Sequence, residues 1–219
     1  CRMRNAPVIV FINKLDREGQ SPFDLLDEIE KELKIKVRPM TWPIGIGKSF
    51  KGVYNLSESS LNLFQGDSKT TVEETLTIKG INDKLIDQRV GSDFAEQLRA
   101  DVDLIDGVYD PLDSHKYLEG QISPVFFGSA VNNFGIHELL DCFVQIAPWP
   151  KERDTDAGMV KPDNNKFSGF IFKIHANLDP KHRDRIAFLR ICSGIFERNK
   201  YYYNVREKSK CALATPRLL

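Results

Sequence analysis

The sequence predicts an α/β domain followed by an all-β unit. Three observations carry this. Residues 8–12, Val-Ile-Val-Phe-Ile, form an apolar, β-branched run that ends abruptly in Asn13-Lys14-Leu15-Asp16. A run of that length and type reads as a buried strand of a parallel sheet, covered on both faces. A second apolar run, residues 124–127, ends in Gly128-Ser129-Ala130, and segments of helical period lie between and after the two runs. Beyond about residue 166 the pattern changes to short strands separated by turns, as in an antiparallel barrel.

The first helix opens after the Arg17-Glu18-Gly19-Gln20 turn. Ser21 is the predicted N-cap, Pro22 takes the first helical position, and Asp24 completes a pair resembling a capping box. Phe23, Leu26, Ile29 and Leu33 then give one apolar stripe, opposite the solvated Asp27, Glu28, Lys31 and Lys34. Residues 36–44 read as extended. The following Gly45-Ile46-Gly47-Lys48-Ser49 is only superficially a phosphate-binding loop. The pattern G-x-x-x-x-G-K-[ST] would need glycine at position 42, which is Trp42, and a strand-like run, Phe50 to Tyr54, follows where a helix should. The glycines are expected to make a hairpin or surface turn.

Residues from about 56 to 121 are expected to be an insertion. Two short strands flank a Gly66-Asp67-Ser68 turn, and helix follows, with Phe94, Leu98, Val102 and Ile105 at helical spacing. A last helix begins near Phe134-Gly135-Ile136-His137, with Leu139, Leu140, Phe143, Val144 and Ile146 as its apolar face. His137 has no metal-binding partner in the pattern and reads as a surface or capping residue. Cys142 reads as a small buried hydrophobe. Pro148-Trp149-Pro150 ends the helix. The expected division is a first domain over 1–150, a polar linker over 151–166, and the start of a barrel over 167–219.

Composition excludes some classes. Formal net charge is zero over 219 residues, so no global argument for nucleic acid is available. No apolar run approaches the ~20 residues of a membrane span. The four cysteines, Cys1, Cys142, Cys192 and Cys211, are far apart, which favours reduced thiols over a disulfide framework or zinc site. The chain begins without methionine, close to a core strand, and the expectation is an excised piece whose exposed sheet edge favours association.

The chemistry centres on the two strand ends, where open α/β sheets bind ligands. An ionised Asp16 has two acceptor oxygens. Guanine presents two adjacent donors, N1–H and the 2-amino group. Adenine would leave the carboxylate unpaired, which is costly. Asn13 can reach the base edge or brace the loop from behind, and the Lys14 stem can lie over the ring. Ser129-Ala130 resembles the Ser-Ala loop of guanine-nucleotide-binding domains, which implies a backbone N–H offered to the guanine 6-oxygen. One locally basic cluster, Lys181, His182, Arg183 and Arg185, with Arg190 nearby, is either a phosphate-contacting loop or a solvated hairpin offset by Asp179 and Asp184.

These features, in this order, resemble the translational GTPases, the large ribosomal factors. Asn-Lys-Leu-Asp-Arg, Trp42-Pro43-Ile44-Gly45, Phe50-Lys51-Gly52-Val53-Tyr54, the Ser-Ala strand and the helix ending in Ala147-Pro148 carry the likeness. Within them, residues 170–188 resemble the start of the second domain of the bacterial peptide chain release factor 3 family. Asn132-Asn133-Phe134-Gly135 also suits that family. Proteins like elongation factor G share the layout but differ across residues 176–185.

The resemblance implies the C-terminal part of a P-loop GTPase-type α/β domain followed by a partial antiparallel β-barrel. It implies GTP or GDP held by Asn13, Lys14, Asp16, Ser129 and Ala130, with magnesium bound elsewhere in the parent protein. The parent would be a cytoplasmic GTPase that acts on the ribosome and ribosomal RNA and promotes departure of class I release factors. The family's phosphate loop, switches, magnesium ligands and water-positioning histidine match no position here, so these residues alone are expected to be inactive. Another factor resembling elongation factor G, or a non-catalytic ribosome-binding module, is the alternative.

Overall fold

The computed structural model describes residues 6–63, 74–132, 134–156, 158–176 and 185–213. By its internal packing the chain falls into two units, Cys1–Ala147 and Pro148–Leu219.

The first unit begins with β1 (Val10–Ile12), which leads into the Asn13 loop. Helix α1 (Pro22–Leu33) starts as expected, with Ser21 Oγ accepting from the Asp24 N–H at 3.2 Å and Pro22 at the first turn. It ends where Lys34 turns left-handed and donates its N–H to Glu30 O. Leu26, fully buried, anchors its apolar stripe. The chain then runs through β2 (Lys36–Pro39), β3 (Thr41–Ile44), β4 (Gly52–Asn55), β5 (Ser60–Leu63) and β6 (Glu74–Thr77). Helices α2 (Lys84–Val90), α3 (Ser92–Val108) and α4 (Ser114–Leu118) follow, then β7 (Ile122–Phe127) and α5 (Ile136–Ile146).

These strands make two sheets. The first has the order β1-β7-β2, all parallel. The second is an antiparallel meander, β3-β4-β5-β6. The extended segment 36–44 therefore belongs to both sheets. After Pro39 the chain leaves β7 and enters the meander, and the switch is hydrogen-bonded throughout. Met40 N–H donates to Val125 O at 2.9 Å, and Phe127 N–H donates to the buried Thr41 Oγ1 at 3.0 Å. The second sheet thus begins at Thr41, before residue 56, where an insertion is expected to start. Pro39 and Pro43 remove ladder donors, which suits β2 and β3 as edge strands of their sheets.

The predicted burial of β1 needs correction. β7 is buried along its whole length, whereas every residue of β1 is half-buried. The reason is position: β1 lies at the edge of the sheet, and among the described residues only β7 pairs with it. Two further expectations shift. Cys142 is half-buried, its thiol pushed up by that burial. On α5, Phe143 and Val144 are exposed at 48% and 78%, so no described element fully covers the predicted apolar face.

Trp42 joins the two sheets to the helices. Its ring is fully buried, 4.6 Å from Phe23 of α1 and edge-on to Phe127 of β7 at 5.4 Å. Its Nε1–H donates to Asp101 Oδ2 of α3 at 2.8 Å, and Gln97 Nε2 donates to the other Asp101 oxygen at 2.7 Å. The α2–α3 corner is tied by Arg99, which donates to both Asp87 oxygens and to Ile81 O. Those guanidinium bonds hold the Asp87 carboxyl below its ordinary range. Burial pushes Tyr109, at the end of α3, up to about 12, with Asp27 and Glu30 of α1 adding to the effect.

The second unit contains β8 (Arg153–Thr155) paired with β9 (Gly158–Val160), β10 (Ser168–Ala176) with β11 (Arg185–Ser193), and β12 (Tyr201–Asn204) with β13 (Ser209–Ala212), all antiparallel. Residues 151–166, expected as a linker, therefore hold a short hairpin. Phe167 and Phe196 meet Tyr202, at 4.4 and 5.5 Å between ring centroids. The described strands form separate pairs and no closed barrel. Isolated pairs bury little of either face, and Phe172 and Ile174 of β10 are accordingly exposed.

The Trp42 bond sets up a test. Asp101→Ala leaves a buried indole N–H without its acceptor, which costs about 1–3 kcal/mol. Asp101→Asn keeps an acceptor oxygen and should retain most of the stability. Urea unfolding of the two variants measures the difference.

Candidate functional site

The carboxyl ends of β1 and β7 lie side by side, because Ile12 is in register with Phe127. The crossing from strand to loop is stitched by two backbone bonds. Gly128 N–H donates to Ile12 O at 3.0 Å, and Leu15 N–H donates to Gly128 O at 3.2 Å. Gly128 permits that approach. A Cβ there would lie 2.3 Å from Phe134 O and 2.8 Å from the Phe11 ring, closer than packed atoms allow.

Residues 13–17 form a tight turn. Lys14 adopts a left-handed backbone, φ +70°, an uncommon state for a residue with a side chain. Two bonds hold it there. Arg17 N–H donates to Lys14 O at 3.0 Å, and Lys14 N–H donates to Asn13 Oδ1 at 2.8 Å. Leu15 turns inward and is buried in the core at 4% exposure. Lys14 and Asn13 are exposed and Asp16 is half-exposed. The alternation puts an apolar anchor between two polar side chains that face solvent.

The second loop is closed by a pair of mutual bonds, Ser129 N–H to Phe134 O and Phe134 N–H to Ser129 O, both 3.0 Å. Ser129 is buried and its Oγ accepts from Asn132 Nδ2 at 2.9 Å. Ala130 is exposed. Its N–H, expected to face a base, donates to Asn13 Oδ1 at 2.9 Å. Of the two roles open to Asn13 from sequence, the structure displays the bracing one: a single side-chain oxygen accepts from both loops.

Asn13, Lys14, Asp16, Ser129 and Ala130 are thus gathered in two joined loops. Lys181, His182 and Arg183 lie outside the described residues, and Arg185 is an exposed residue at the start of β11. Among the described residues no group of three His, Cys, Asp or Glu could hold a metal ion, and no helix is long and apolar enough to cross a membrane. Sequence reasoning missed Leu15 and Gly128 as the parts that set the loop geometry. The alternation Lys14-Leu15-Asp16 was the available signal for the first. The second depends on a neighbouring strand that no local pattern reveals.

The two loops leave the carboxyl ends of adjacent parallel strands, the place where open α/β sheets bind ligands. The chain belongs to the family of the elongation factor Tu GTP binding domain, whose model matches residues 1–149. A second model, elongation factor G domain 2, matches residues 166–219. The chain is therefore a GTP-binding translation-factor chain of the translational GTPase superfamily.

The shared Asn13 oxygen gives a direct test. Asn13→Ala removes the acceptor of two N–H groups, each bond contributing about 0.5–1.5 kcal/mol. Hydrogen exchange at the Lys14 and Ala130 amides should accelerate together, while amides in the middle of β7 stay protected.

Proposed function

We propose that Asn13, Lys14, Asp16, Ser129 and Ala130 form the guanine-reading half of a GTP site in a translation termination factor of the peptide chain release factor 3 type. The carrying observation is the joining of the Asp16 turn to the Ser129-Ala130 loop through Asn13. Asp16 accepts from guanine N1–H and the 2-amino group. The Lys14 stem covers one face of the ring. The Ala130 N–H already has one acceptor, and the 6-oxygen enters as a second in a three-centred bond.

The phosphates and magnesium are handled by parts of the complete factor that these 219 residues do not supply, since no G-x-x-x-x-G-K-[ST] segment occurs in them. Phosphate and magnesium contacts contribute much of the affinity in such sites. These residues alone therefore bind GTP weakly and do not hydrolyse it.

The termination reading is supported by residues 170–188 and by Asn132-Asn133-Phe134-Gly135. In it, the complete cytoplasmic factor binds the ribosome with GTP, promotes dissociation of class I release factors, and leaves after hydrolysis. The basic cluster of Lys181, His182, Arg183 and Arg185 contacts ribosomal RNA. The match of the second unit to elongation factor G domain 2 favours one competitor, a factor that acts in elongation. Post-termination ribosomes carrying a labelled class I release factor separate the two. The complete factor with GTP should release the label. Movement of messenger RNA with the label retained would instead establish the elongation reading.

Base reading is tested by Asp16→Asn in the complete factor. The amide places a donor against the guanine 2-amino group, so one bond is lost and a polar group is left unpaired, at a cost of about 1–3 kcal/mol. Xanthine has a carbonyl there, to which the amide donates. GTP binding should weaken and xanthosine triphosphate binding strengthen. Equal loss of both nucleotides would make Asp16 a loop-stabilising residue only.

A further inference from the structure

The Gly-Ile-Gly-Lys-Ser stretch is the one sequence motif left without a role. It forms the connection between β3 and β4, tightened by a 3-10 turn at Gly47–Ser49. Although two of the turn's residues are exposed, Gly47 is buried, and it is buried against the base loop. Gly47 N–H donates to Leu15 O at 2.9 Å. The Lys48 N–H points to Glu18 Oε1 at 3.5 Å.

Gly47 has φ +61°, and a Cβ on it would lie 2.4 Å from Glu18 Oε1 and 3.1 Å from the Glu18 backbone nitrogen. The turn is itself stiff. Ser49 Oγ donates to Ile46 O at 2.8 Å and accepts from Ile46 N–H at 3.3 Å. Directly after it, the buried Phe50 stands edge-on to Phe134 at 5.4 Å. Phe134 is the residue that closes the Ser129 loop. One short turn of the meander sheet therefore touches both base loops.

We propose that the Gly47–Ser49 turn is a positioning element of the guanine site, and that Gly47 is a positioning residue acting through the Leu15–Asp16 peptide. The inference rests on the base-reading role of Asp16. Its mechanism is rigid-body geometry. The Leu15 carbonyl and the Asp16 nitrogen share one peptide plane. That plane is held at one end by Gly47 N–H on the Leu15 carbonyl. The following plane, between Asp16 and Arg17, is held by Arg17 N–H on Lys14 O at 3.0 Å. With the planes on both sides of Asp16 held, its Cα–Cβ direction is held, and the carboxylate starts from one place opposite the two donors. The meander sheet thereby sets the precision with which the carboxylate meets the 2-amino group. Closeness at this level is what separates a reading contact from a merely adjacent one.

The test uses the complete factor and two diphosphates, GDP and inosine diphosphate, which lacks the 2-amino group. Gly47→Ala should weaken GDP binding roughly tenfold and inosine diphosphate binding much less, so that discrimination between them collapses. Ser49→Ala, at an exposed position, loosens the turn without touching the base loop and should give about a threefold loss in the same direction. It also decides the matter if Gly47→Ala fails to fold. A general loss of structure would lower both nucleotides equally, together with the melting temperature. If the wild type discriminates between the two nucleotides and both folded variants keep its ratio, the positioning role is overturned while base reading stands. If the wild type itself binds the two nucleotides equally, Asp16 does not read the 2-amino group and the positioning role falls with that reading.

Discussion

The site depends on the parallel pairing of β1 with β7. That pairing sets Ile12 against Phe127, so both strands end at the same level and both following loops meet at Asn13. A slip of one residue would turn the side chains of one strand to the opposite face and would separate Asn13 from Ala130. Gly128 keeps the register close, since any larger residue would collide with Phe134 O and the Phe11 ring. The burial of β7 along its length gives the pair a strand that cannot shift without exposing core. β1, half-buried, takes its position from β7.

The meander sheet is built into this arrangement. Its first strand starts where β2 leaves β7, and Thr41 caps the Phe127 N–H at that point. Trp42, one residue later, is packed among α1, β7 and α3. The meander is therefore held at the level of the strand ends, and its first connection meets the Asn13–Arg17 turn. A sheet attached elsewhere could not place Gly47 against Leu15. The same placement explains why a glycine-rich turn that reads as surface is buried at its centre.

The second unit has a different physical character. Its described strands are antiparallel pairs joined locally by an aromatic cluster at Phe167, Phe196 and Tyr202. Large side chains of β10 remain exposed, because a pair of strands has no second layer of its own. The elongation factor G domain 2 match gives this unit its kinship.

What the sequence determined by itself was local. The apolar runs of β1 and β7, the Ser21-Pro22 start of α1, the strands at Gly52–Asn55 and Ser60–Leu63, and the helical period of α3 follow from periodicity and capping within a few residues. So do the residues of the two loops, because strand ends are legible and Asn-Lys-Leu-Asp and Ser-Ala sit on them. Tertiary structure decided what each of these touches. Position within the sheet left β1 half-buried despite its apolar sequence. The switch at Pro39 divided one extended run between two sheets. The Asn13 oxygen found its second donor 117 residues away. The Gly47 amide found its acceptor in Leu15 O. Side-chain pattern reports which face is apolar and where a strand must stop. It does not report which distant backbone group will satisfy a given donor, since that depends on the register of strands brought together only when the chain folds.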